Sequence, residues 1–135
     1  MLRELALKYY EGDYDLNCAE TILFAANDLY NLGLSKDAFK IMAAFGGGVA
    51  VEELCGAAAG AAAVIGVLYT NLRGHESPRV KELTNEFMVS FKERLGTYNC
   101  RELKAKYKND TARCREMIIA AAECLEVIIN KEGTR

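Results

Sequence analysis

The sequence predicts an all-α domain, a compact bundle of about five to seven helices around one central helix of small residues. Three observations lead there. Apolar residues recur at helical spacing over most of the chain, and no segment alternates clearly enough to be a strand. Capping residues and glycines punctuate that pattern at helix-length intervals. The chain has one proline and no tryptophan. At 135 residues it reads as a single domain, 1–135, large enough to bury a core.

The first helix covers about Leu2 to Tyr10, with Leu2, Leu5, Ala6 and Tyr9 at helical spacing, and ends at Gly12. Asn17-Cys18-Ala19-Glu20 opens the second: Asn17 is the N-cap and Glu20 completes a capping box. Its apolar face is Ile22, Leu23, Ala26, Leu29 and Tyr30, and Gly33 is its expected stop. Ser35 caps a short third helix bearing Phe39, Met42 and Phe45, which runs into Gly46-Gly47-Gly48. The fourth, about Leu54 to Leu72, is rich in alanine and glycine. Each helical glycine costs about 1 kcal/mol against alanine, so Gly56 and Gly60, one turn apart, imply a close backbone neighbour. Ser77-Pro78 starts the fifth helix, whose buried stripe is Val80, Leu83, Phe87, Phe91 and Leu95, and Gly96 stops it. Asn99-Cys100-Arg101-Glu102 opens a short helix. Asp110 or Thr111 caps the last, from about Ala112 to Asn130.

Composition excludes several functions. A formal net charge of −2 and no Lys/Arg cluster argue against a nucleic-acid partner. The uncharged run Leu54–Leu72 is near the roughly 17–20 residues a membrane span needs. It ends in Thr70-Asn71 and is better read as a buried helix, so no membrane span is expected. Met1-Leu2-Arg3-Glu4 lacks the apolar region of a signal peptide, which points to a cytoplasmic protein. In that reducing compartment, five cysteines suggest metal or redox chemistry more than structural disulfides.

The cysteines follow the caps. Asn17-Cys18-Ala19-Glu20 and Asn99-Cys100-Arg101-Glu102 are the same N-C-x-E device, each with cysteine at the first helical position. Cys55 falls at a helix start, and Cys114 in the first turn of the last helix. All four thus sit where unpaired N–H groups and the helix dipole favour a thiolate. Cys124 lies ten residues beyond Cys114 on one helix, about 15 Å along its axis, so the two cannot share a site. Cys18, Cys55 and Cys100 could converge with either; the caps favour Cys114. The plainer alternative is that the cysteines are core filler.

The glycine triplet lacks the strand and Gly-Lys-Ser/Thr of a phosphate loop. Its N–H groups could line a sulfur site, or it is only a tight connection. Glu52-Glu53 reads as a solvated pair at a helix start that opposes thiolate at Cys55. His75, the only histidine, reads as a surface loop residue too far from Cys55 to pair with it. Tyr9, Tyr10, Tyr14, Tyr98 and Tyr107 read as core-edge residues.

Cys55-Gly56-Ala57-Ala58-Ala59-Gly60, preceded by Phe45-Gly46-Gly47-Gly48, resembles the C-G-A-x-x-G motif of the C_GCAxxG_C_C family of small redox-active proteins. Cys18, Cys100 and Cys114 match its other three cysteines, and the likeness covers nearly the whole chain. Cys124 has no counterpart. The resemblance implies redox activity carried by Cys18, Cys55, Cys100 and Cys114, and a bacterial or archaeal source. A similar domain accompanies haem domains in some electron-transfer cytochromes. That favours an iron–sulfur cluster or other metal on these four cysteines, with Gly46, Gly47, Gly48, Gly56 and Gly60 lining it and an unidentified electron-transfer partner. Two alternatives remain: metal-free thiol–disulfide chemistry, and a non-catalytic helical interaction domain. A homodimer through the Gly56/Gly60 face is compatible with all three.

Overall fold

A computed structural model describes residues 1–134. It contains seven α-helices and, among the described residues, no named strand. They are α1 (Leu2–Glu11), α2 (Cys18–Tyr30), α3 (Lys36–Ile41), α4 (Gly56–Tyr69), α5 (Pro78–Leu95), α6 (Cys100–Tyr107) and α7 (Arg115–Glu132). The all-α bundle predicted from the sequence is the fold. No helix among the described residues is long and apolar enough to cross a membrane.

Helix α4 is the centre, packed against α2, α5 and α7. Its first six residues, Gly56 to Ala61, are all buried. Gly60 shows why they are small. A Cβ there would stand 2.6 Å from the Ala19 carbonyl oxygen of α2, so only glycine allows this approach. A Cβ on Gly56 would come within 3.3 Å of Cys18 Cβ. The neighbour that the two glycines admit is therefore α2 of the same chain. That face is filled and is not a surface for a second copy.

Several boundaries differ from expectation, each for a local reason. Helix α2 ends at Asn31, which adopts the left-handed conformation (φ 53°). Gly33 lies beyond it. Helix α1 buries Leu2, Ala6 and Tyr10 rather than Leu5 and Tyr9, because it is gripped between α2 and α7. Helix α4 is shorter than Leu54–Leu72: Leu54 pairs instead with Asn99 in an isolated antiparallel bridge. Ser77 precedes Pro78 but caps nothing with its side chain; its hydroxyl accepts from Asn71 N–H and donates to Glu76. Helix α7 starts at Arg115, with Cys114 as its N-cap residue, because 109–113 form a turn around the Asn109 side chain.

The segment after the glycines is the least regular. Residues Met42–Phe45 form a 3₁₀ turn, and Gly48–Glu52 a wide π-type turn. Within and before that turn Gly47, Gly48, Val49, Ala50 and Glu52 all have φ between 58° and 65°. Left-handed backbone costs about 1–2 kcal/mol for a residue with a Cβ, and a β-branched residue such as Val49 tolerates it least. Glu52 and Glu53 thus belong to this turn and its exit, not to the first turn of a helix.

Candidate thiol site

Local capping places two of the four cysteines. The Asn17 side chain accepts from Glu20 N–H (2.9 Å), and Glu20 returns a bond to Asn17 N–H (3.0 Å). This fixes Cys18 as the first residue of α2. Asn99 accepts from Glu102 N–H (3.1 Å), which does the same for Cys100 on α6. The reciprocal bond is missing there, because the Glu102 carboxylate accepts from Thr97 instead.

Longer-range bonds bring the rest together. Cys55 N–H donates to the Tyr98 carbonyl (2.9 Å), and Cys100 N–H to that of Glu53 (2.5 Å). These flank the Leu54–Asn99 pair and tie the start of α4 to the start of α6. Gly48 leans on the same junction: a Cβ there would lie 2.6 Å from Cys100 Cβ and 2.5 Å from Glu53 N. Cys114 N–H is buried and donates to the Tyr10 hydroxyl at 3.1 Å, joining α1 to the start of α7.

Cys18, Cys55, Cys100 and Cys114 all line one cavity of about 240 Å³. All are free thiols. Cys124 is also free but lies elsewhere, half-buried on α7 near Arg94. Of the glycines, Gly47 and Gly56 line the cavity. Gly48 supports Cys100 from behind, Gly46 abuts the Asn17 side chain, and Gly60 serves the α2–α4 contact. His75 is exposed in the turn Gly74–Glu76 and is not among the cavity residues.

The expectation that helix starts make all four cysteines acidic fails at three. Burial pushes Cys55 up to about 11, and the N–H groups of Ala58 and Ala57 only partly oppose it. Cys100 is also raised, chiefly by burial, with Lys104 pulling the other way and Glu52 adding to the rise. Of the glutamate pair, Glu52 thus acts on Cys100. Taking a thiolate out of water outweighs a helix terminus when the sulfur has no ionic partner.

Cys114 is the exception. A hydrogen bond from the Cys18 thiol lowers it to about 6, with help from Lys108, the Tyr10 hydroxyl and Lys104. Cys18 is correspondingly held well above the ordinary thiol range, first by that bond to Cys114 and then by burial. The two thiols titrate as a coupled pair in which Cys114 is the lowered member and Cys18 the raised one.

Four contributors to this site were not singled out from sequence. Tyr10 reads from sequence as a core-edge tyrosine, yet its hydroxyl accepts from Cys114 N–H and its ring carries the Arg113 guanidinium at 4.3 Å. The spacing Leu2, Ala6, Tyr10 on one helical face was the available signal. Arg113, left-handed at φ 53°, donates to the Tyr10 carbonyl (2.9 Å). Lys104 and Lys108, one turn apart at the end of α6, line the cavity with it. No acidic side chain lines the cavity; Glu52 stands beside Lys104 at 3.8 Å.

The four thiols suit a soft metal by donor type. Among the described residues, however, no three of His, Cys, Asp or Glu are gathered as a metal-holding group. The cysteines share a cavity without forming a ligand set.

No curated protein and no solved structure matches this chain. One family model does, over residues 16–128, and its description is "Putative redox-active protein (C_GCAxxG_C_C)". The matched span holds the motif Cys55 to Gly60 and all four cavity cysteines, while Tyr10 precedes it. With most of its length and its whole thiol set inside that match, the chain belongs to the C_GCAxxG_C_C family of redox-active proteins.

Proposed function

We propose that this protein is a dithiol–disulfide redox protein in which Cys114 is the attacking thiolate and Cys18 the resolving thiol. The observation that carries this is that Cys18 and Cys114 line the wall of one cavity, where each shifts the acidity of the other, Cys114 down and Cys18 up. A thiolate near neutral pH, beside a thiol that keeps its proton, is what exchange chemistry needs. Cys114 attacks a disulfide of the oxidised partner and displaces one sulfur. Cys18 then attacks Cys114 and displaces the other. One Cys18–Cys114 bond forms, and the partner gains two electrons. The Tyr10 hydroxyl keeps the Cys114 N–H satisfied through both states.

A second reading is favoured by the convergence of all four cysteines on one cavity: a thiolate-bound metal or iron–sulfur centre serving an electron-transfer partner. Cys18, Cys55, Cys100 and Cys114 would hold it, and Lys104, Lys108 and Arg113 would offset its negative charge. It would supply one-electron storage. Among the described residues no three such side chains are yet gathered as a metal-holding group, so the cysteines would have to draw closer to bind it.

Purification without oxygen, with a visible spectrum, metal content and thiol count on one sample, separates the readings. The dithiol reading expects no stoichiometric metal, and loss of two thiols on mild oxidation, recovered by peptide mapping as Cys18–Cys114. Sulfur-to-iron absorption with stoichiometric iron would replace it by the second reading. Five unreactive thiols and no metal would sink both.

A further inference from the structure

We propose that the thiol cavity selects small disulfides that carry carboxylates, with Lys104, Lys108 and Arg113 holding the negative groups while the disulfide meets Cys114. The inference rests on the dithiol reading and adds its substrate class.

The cations are placed for this and are not general surface charge. The chain as a whole is net negative, at −2, so its overall field does not attract anions. Yet the charged side chains that line the cavity are all positive. Lys108 and Arg113 are exposed while Cys55, Cys100 and Cys114 are buried, so charge lies toward solvent and sulfur lies deeper. Arg113 is held in place by its bond to the Tyr10 carbonyl and its stack on the Tyr10 ring. Lys104 has a competing partner in Glu52, but at 3.8 Å that pair is loose and half-exposed. The volume of about 240 Å³ falls below the roughly 300–1,000 Å³ of drug-sized pockets, which suits a small molecule.

The chemistry balances. Cys114 thiolate attacks one sulfur of R–S–S–R, that S–S bond breaks, and the first R–S⁻ leaves with the proton of Cys18. Cys18, now a thiolate, attacks the Cys114 sulfur and expels the second R–S⁻. The two protein sulfurs are oxidised to one disulfide, and the substrate is reduced to one thiol and one thiolate, which takes from water the proton Cys114 had released.

The test uses the full reduced chain and three small disulfides: dithiodiglycolate (anionic), bis(2-hydroxyethyl) disulfide (neutral) and cystamine (cationic). Rate constants are divided by those of a free small thiol, to remove each probe's own reactivity. The expected anionic-to-cationic ratio is about 10 or more at low salt and falls as salt screens the cations. The double variant Lys104→Ala/Lys108→Ala should lose most of that preference. Because the ratio is taken within each variant, any change in the Cys114 thiolate fraction cancels. A ratio near one, or one unchanged in the double variant, overturns the proposal and leaves the dithiol reading standing. Alkylation of Cys114 by iodoacetate against iodoacetamide reads charge selection without redox turnover. A preference for iodoacetate with no Cys18–Cys114 disulfide from any probe would defeat the dithiol reading and this substrate class with it.

Discussion

Replacing Cys18 with alanine removes the largest influence that lowers Cys114. Burial and the remaining cations then pull in opposite directions, so Cys114 should return to about 8.5, the ordinary thiol value. With its partner in place Cys114 stands at about 6 and is roughly nine-tenths thiolate at pH 7. The variant would be about 3% thiolate, a thirtyfold loss of the reactive form. Nucleophilicity works against this loss. With a Brønsted coefficient of about 0.45, a rise of roughly 2.5 pK units makes each thiolate about 13 times more reactive. The net effect at pH 7 is only about twofold, so a single rate at neutral pH decides little. The profile decides. At pH 5.5 the variant should react about 20 times more slowly with a neutral disulfide, and at pH 9 about 10 times faster. The two curves cross between about pH 7 and 8. Stopped-flow rates over that range, with thiolate absorbance at 240 nm, provide the measurement. Curves that run parallel, or an apparent Cys114 midpoint already near 8.5 before substitution, would refute the coupled-pair account.

Tyr10→Phe leaves the buried Cys114 N–H without its acceptor, which should cost about 1–3 kcal/mol in urea unfolding and raise the Cys114 midpoint. In α4, Gly60→Ala forces a Cβ to 2.6 Å from the Ala19 oxygen and should destabilise clearly, whereas Gly66→Ala meets nothing within 4 Å and should stabilise by about 1 kcal/mol. The reduced protein should also gain stability from about pH 6 to about pH 8. Cys114 is lowered on folding, so its contribution is complete above the unfolded value and is lost as pH falls through about 6. Cys18, Cys55 and Cys100 are raised, so they cost stability as pH climbs beyond the ordinary thiol range. Urea midpoints across pH should therefore peak near about pH 8, and Cys114→Ser should abolish the lower limb.

The asparagine caps show how much of the site is local. Asn17 and Asn99 each bond an N–H three residues ahead, so short stretches of sequence suffice to set Cys18 and Cys100 at helix starts. The buried stripe of α5 and the demand of Gly60 for a close neighbour are equally readable, because periodicity and side-chain size are properties of the chain itself. Which neighbour answers that demand is not. It is α2, and so the glycine face is spent inside the molecule.

Acidity was the property hardest to read. A helix start favours thiolate from local geometry, but burial is decided by everything packed around it, and burial prevails at Cys55 and Cys100. Cys114 escapes because the thiol of Cys18, almost a hundred positions earlier, stabilises its charged form, with the Tyr10 hydroxyl, 104 positions earlier, acting in the same direction. The turn Gly48–Glu52 is a similar case: the residue types of Val49, Ala50 and Glu52 argue against left-handed backbone, and it sits against the Glu53–Cys100 junction instead. The sequence alone therefore determined the all-helical fold, the cap positions and the four cysteines that belong together, since these rest on contacts within one or two turns. The direction of each thiol's shift and the presence of Lys104, Lys108 and Arg113 around the same cavity come from the folded arrangement, since charge and burial depend on partners the chain brings together only by folding.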